Sequence, residues 1–155
     1  MKRLLLSLIF IAYCAILIQV LVFKELPVIL MGSMKFRLGG VQEGDPNFLP
    51  FSTILPYLLG QHGGIIVGVN IFGNILLLVP VGLLFPSVYR NMTWAKCLVL
   101  AVSSGLIVEL MQAGLRIGIF DVDDVILNAL GVIIGYWVWI FISKSRDRKK
   151  IKANG

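Results

Sequence analysis

GLIVELMQAGLRIGIFDVDDVILNALGVIIG, residues 105–135, sets Glu109, Gln112, Arg116, Asp121, Asp123, Asp124 and Asn128 in or beside two long apolar segments. An ionisable group at membrane depth costs about 2.5–3.5 kcal/mol to insert. Several so close together call for a structural or functional use, and the rest of the chain indicates which.

The two segments belong to a very apolar chain. Of 155 residues, 58% are hydrophobic and 14% charged, and the mean hydropathy is +0.93. A soluble domain of this length cannot hide so much apolar surface, so the composition specifies an integral membrane protein. The net charge of +6 does not point to nucleic acid. Six of the fourteen Lys and Arg fall between Lys144 and Lys152, directly after an apolar run, the pattern of a cytoplasmic anchor. Cys14 and Cys97 both lie in apolar segments and suggest no disulfide framework.

Four stretches meet the length of about 17–25 apolar residues that a spanning helix needs. They are Leu4–Phe23, Ile65–Phe85, Cys97–Leu115 and Val125–Ser143. The first exceeds the h-region of a cleaved signal and has no small-x-small site after it, so it reads as a retained span. The expected fold is all-α: a bundle of four transmembrane helices, with residues 1–143 as one domain and 144–155 as a basic tail. With both termini cytoplasmic, ten Lys and Arg fall inside and Lys24, Lys35, Arg37 and Arg116 fall outside, the bias that sets orientation.

Residues 24–64 then form the long outer loop. Its middle, MGSMKFRLGGVQEGDPN, mixes glycine and charge and reads as a flexible or short-hairpin excursion. Its end, NFLPFSTILPYLLG, is apolar but broken by Pro50 and Pro56. That segment is expected to be interfacial or re-entrant, serving either as packing or as a lid.

Helical spacing gives each span a polar face. Asn70 and Asn74 stand at i, i+4 with Gly73 beside them, a place for close helix approach, while Pro80 removes a main-chain bond near Gly82. Glu109, Gln112 and Arg116 stand at i, i+3 and i+7, leaving Glu109 about 10 Å deeper than Arg116. Asp124, Asn128, Gly131 and Gly135 share a face of the last span, and the two glycines form a small-xxx-small pair suited to packing. The alternating topology puts all of these polar groups in the outer half of the membrane, where the three faces converge on one outward-opening pocket.

The rim of that pocket is acidic. Glu109, Asp121, Asp123 and Asp124 stand against Arg116, which leaves three resolutions: a proton held on Glu109, a cation among the carboxylates, or an amine-bearing ligand. The competing structural account makes the three aspartates caps of the last helix, with Arg116 pairing to one of them. A divalent cation is a weak expectation, on Glu109, Asp123 and Asp124. DVDD lacks the glycine and distal glutamate of a calcium loop, and no His or Cys is near; no cofactor is predicted. His62, between glycines of the outer loop, reads as a surface residue. There is no recognisable catalytic motif. Ser103 and Ser104 precede Glu109 by about a turn, and serines in such helices bond backbone carbonyls.

Four blocks resemble the VanZ-like family of small bacterial membrane proteins: Asn47–Ile54 (NFLPFSTI), Asn70–Asn74 (NIFGN) with Pro80-Val-Gly82, Glu109-Leu-Met-Gln112, and Phe120–Asn128 (FDVDDVILN) with Gly131 and Gly135. Together they cover about residues 47–136. Two positions depart from the family pattern: Leu78, where Phe is common, and a longer spacing from Arg116 to Asp121. The resemblance implies a multi-pass protein of the cell membrane, from a family named for association with teicoplanin resistance. The leading expectation is a protein that binds a lipid-anchored or amphipathic envelope ligand in the polar pocket and so alters glycopeptide sensitivity. The alternatives are a membrane-embedded hydrolase or transferase of a lipid or cell-wall precursor, with Glu109 as base, and a small proton-coupled transporter. Expected partners are the lipid bilayer, such a ligand and a second copy in a homo-oligomer.

Overall fold

The computed structural model describes residues 2–23, 30–31, 34–35, 45–60, 64–89, 91–115 and 118–153. The chain runs α1 (Lys2–Phe23), β1 (Leu30–Met31), β2 (Met34–Lys35), α2 (Ile54–Leu58), α3 (Gly64–Val88), α4 (Trp94–Gly114) and α5 (Val122–Ala153). The strands are two-residue pieces of one antiparallel pair, at the start of the stretch expected to be a flexible or short-hairpin excursion. All else with regular structure is helical, and α1, α3, α4 and α5 are each long and apolar enough to cross a membrane.

Helix ends fall where local chemistry puts them. Helix α4 starts before Cys97 because the Thr93 hydroxyl accepts from Lys96 N at 3.3 Å, a side-chain N-cap that hydropathy does not register. Helix α3 continues through both Pro80 and Pro86. Helix α5 passes beyond Ser143 into the basic tail. Lys and Arg are good helix formers and suit the negative end of the helix dipole, so the 143/144 boundary expected between domain and tail is no break in the backbone.

Helix α5 lies between α3 and α4, and α1 leans on α3 and α4 from outside. Leu17, Leu78, Val81, Ala101, Val108 and Val132 form the buried core where the four helices meet. Glycine sets the α3–α5 distance. A Cβ at Gly82 would lie 1.9 Å from Val132 O, one at Gly131 2.2 Å from Ile75 O, and one at Gly135 2.0 Å from Val79 O. Only hydrogen fits at those points, so the two backbones touch directly. The α4–α5 contact has one such point at Gly105, where a Cβ would meet Val125 O at 2.8 Å. At Gly73, by contrast, a Cβ would meet nothing within 4 Å among the described residues. The close approach expected at Gly73 is therefore absent among the described residues; α3 makes it further along, at Ile75, Val79 and Gly82.

The two ends of the bundle differ. The end holding the α3–α4 turn is aromatic and basic. Trp94 meets Tyr136 edge-on at 5.1 Å, Tyr136 stacks on Trp139 at 5.8 Å, and the Lys96 ammonium lies 5.1 Å from the Tyr89 ring centre. Such a belt suits a lipid–water interface. The opposite end carries the polar residues.

Candidate functional site

At the polar end, α5 begins beneath residues 47–60, a strap laid across the bundle. Its anchor is a one-residue parallel bridge between Asn47 and Asp121: Asn47 N donates to Phe120 O at 2.8 Å, and Val122 N donates to Asn47 O at 3.0 Å. The Phe48 and Phe120 rings pack beside it at 5.3 Å.

Each carboxylate has its own task. Asp121 Oδ1 accepts from Asp123 N at 2.8 Å, which makes Asp121 the N-cap of α5. The same oxygen takes Asn47 Nδ2 at 3.0 Å, and Oδ2 takes the Thr53 hydroxyl at 2.7 Å. Asp123 points away from its own helix. It accepts from Phe51 N at 2.5 Å, Thr53 N at 2.7 Å and Ile54 N at 3.0 Å. Three converging amides around one carboxylate impose a tight turn, and Phe51 enters it at φ 67°, a left-handed conformation that bulky residues rarely adopt. The bonds to Asp123 hold it there. Asp124 accepts from Asn74 Nδ2 at 2.8 Å and so ties α5 to α3. Glu109 Oε2 accepts from Asp121 N at 3.1 Å and so ties α4 to the cap.

These bonds correct the capping account. Asp121 caps α5. Asp123 does the same work in trans for α2, whose own N-cap residue, Thr53, makes no side-chain cap bond. They also change the picture of an open acidic mouth. Asp123 is 0% exposed, Glu109 1%, Asn128 1% and Gln112 4%, and the strap's amides meet the Asp123 carboxylate directly. Gln112 packs beneath the α4–α5 turn, with its Oε1 3.2 Å from where a Cβ on Gly118 would stand. Ser103 and Ser104 donate to the carbonyls of Leu100 at 3.2 Å and Ala101 at 3.0 Å.

Among the described residues no three His, Cys, Asp or Glu side chains are grouped to hold a metal ion, so the weak cation set of Glu109, Asp123 and Asp124 is not assembled. Arg116 and His62 lie outside the described residues, as does the side chain of Asn70. Asn47 and Thr53, both central to the clamp, were not expected as site residues. Their signal was the polar Asn-x-x-Pro-x-Ser-Thr frame in an otherwise apolar segment, a turn-forming arrangement.

Asn128 differs from the rest. Its side-chain oxygen is buried without a hydrogen-bond partner. It sits one turn below Asp124 on α5, with its Cβ 3.3 Å from where a Cβ on Gly105 of α4 would lie.

Four spanning helices, the strap and the acids of α5 lie within the reach of one family model, VanZ/LLP1, which matches residues 10–143. The chain belongs to the VanZ/LLP1 family. The match takes in most of α1 and stops at Ser143, where the basic extension of α5 begins. No curated protein and no solved structure gave a match. Within the VanZ/LLP1 region, the two carboxylates that hold the strap, Asp121 and Asp123, stand at the N-terminus of α5, and the strap groups bonded to them come from residues 47–54.

Proposed function

We propose that this VanZ-like protein acts at the outer face of the cell membrane, with both termini cytoplasmic, and binds a lipid-anchored or amphipathic envelope ligand on the strap. Its role is then the family's implied one, reduced sensitivity to glycopeptides of the teicoplanin or lipoglycopeptide kind. The observation that carries this reading is the two-sidedness of the strap. Its polar bonds run inward to Asp121 and Asp123, while Phe48, Leu49, Leu58 and Leu59 stand 65–71% exposed on the other side. A rigid apolar ridge fixed over buried carboxylates suits an acyl chain or a lipid-anchored precursor at the interface. The Lys and Arg bias supports the orientation, since it puts the basic end of the bundle inside.

The test uses Leu58→Ser and Leu59→Ser together, which leave the clamp untouched. In a glycopeptide-susceptible host the wild-type chain raises the inhibitory concentration of teicoplanin, and the double variant loses most of that rise at equal membrane abundance. Binding of a fluorescent lipoglycopeptide to protein in nanodiscs weakens in parallel. A double variant that protects as well as wild type removes the ridge from the mechanism. In the hydrolase or transferase reading, an Asp123 that held a cation would have to do so while three backbone amides engage it.

A further inference from the structure

The unpartnered oxygen of Asn128 is the one buried side-chain N or O atom, among the described residues, without a hydrogen-bond partner. Leaving such an acceptor dry is costly, and native proteins complete it with a donor. Its surroundings narrow what that donor is. Asn128 faces Gly105, which has no side chain to offer, and the oxygen is closed off from the surface. One turn above Asn128 on α5 is Asp124, and one turn above Gly105 on α4 is Glu109. A helical turn is about 5.4 Å, close to the span of two hydrogen bonds of about 2.8 Å laid end to end. The groups at both ends are acceptors. A water molecule, with two O–H donors and little volume, is what joins one acceptor to another across such a gap.

We propose that a resident water sits between α4 and α5, donating one hydrogen to Asn128 Oδ1 and the other to the carboxylate layer of Glu109 and Asp124. The polar network then reaches down to Asn128, six residues or about 9 Å along α5 from Val122. The inference is independent of what the strap binds. It assigns Asn128 a positioning role, as the floor that fixes the hydration of Glu109.

Two measurements on the full chain in lipid nanodiscs test it. With asparagine-selective 15N labelling, the Asn128 carboxamide protons, assigned by their loss in Asn128→Asp, are expected to show a cross-relaxation peak at the water frequency. Thermal unfolding of Asn128→Leu, which removes the acceptor at similar volume, is expected to drop by several degrees. No peak, or a peak to lipid protons in place of water, overturns the proposal. So does a leucine variant as stable as wild type or more so, because deleting an acceptor that has no donor relieves a cost.

Discussion

Helix α5 meets α3 at Gly131 and Gly135, backbone against backbone, whereas its first turn meets the strap through carboxylates and main-chain hydrogen bonds. The first contact is steric. Lipid offers no hydrophobic drive for helices to associate, so close packing has to supply the attraction, and there is no slack at a point where a Cβ would stand 2.0 Å from an oxygen. The second contact is chemical and divisible. Its bonds can be removed by single substitutions, which are expected to free a loop without moving a span. The contrast teaches that one helix serves as both keel and latch: its middle holds the bundle together, and its N-terminus holds the strap.

The contrast is broken most violently at the glycine seam. Gly131→Leu puts a side chain through the Ile75 carbonyl, and a loss above about 4 kcal/mol is expected. Little monodisperse protein should survive detergent extraction and size-exclusion chromatography. Asp123→Ala comes next. It leaves the amides of Phe51, Thr53 and Ile54 without their acceptor, each at about 1–3 kcal/mol. The released strap should be cut much faster by added protease within residues 48–60, while the Trp94–Tyr136 contact at the far end keeps its near-UV signal. Proteolysis unchanged from wild type would show that the strap has another anchor.

A smaller effect tests whether hydrogen bonds between spans matter beyond the latch. A double-mutant cycle of Asn74→Ala and Asp124→Ala should give a coupling of about 0.6–2 kcal/mol, the range of polar pairs between membrane helices. The smallest change sharpens the steric side. Gly73→Ala meets open space among the described residues and should be neutral or stabilise by up to about 1 kcal/mol through helix propensity. Gly135→Ala, the same substitution at the seam, should be strongly destabilising. Equal midpoints for the two variants would refute the seam.

The bundle was legible in the sequence because its signals are local. Apolar length marks a span, spacing places Asp124, Asn128, Gly131 and Gly135 on one helical face, and Lys144–Lys152 marks an end. Glycine was only partly legible. Gly73 and Gly131 read alike as small residues among apolar ones, and which of them touches a neighbour depends on where α3 and α5 cross. The clamp was the least legible part. Asp123 binds amides that lie 69–72 residues earlier in the chain, and an N–H group belongs to every residue but proline, so no side-chain pattern announces the partner.

The sequence by itself therefore determined the membrane class, the four spans, the family resemblance and the gathering of polar residues toward one end of three helices. The class, the spans and the gathering follow from hydropathy and from the 3.6-residue period, which depend only on neighbours in the chain, and the resemblance rests on four short blocks between residues 47 and 136. The tertiary structure decided the use of the polar groups it describes: Asp121 as cap, Asp123 as clamp, Asp124 and Glu109 as ties between helices. Hydrogen-bond partners are chosen by proximity in space. Only the closing of the strap over α5 brings acids and amides within reach.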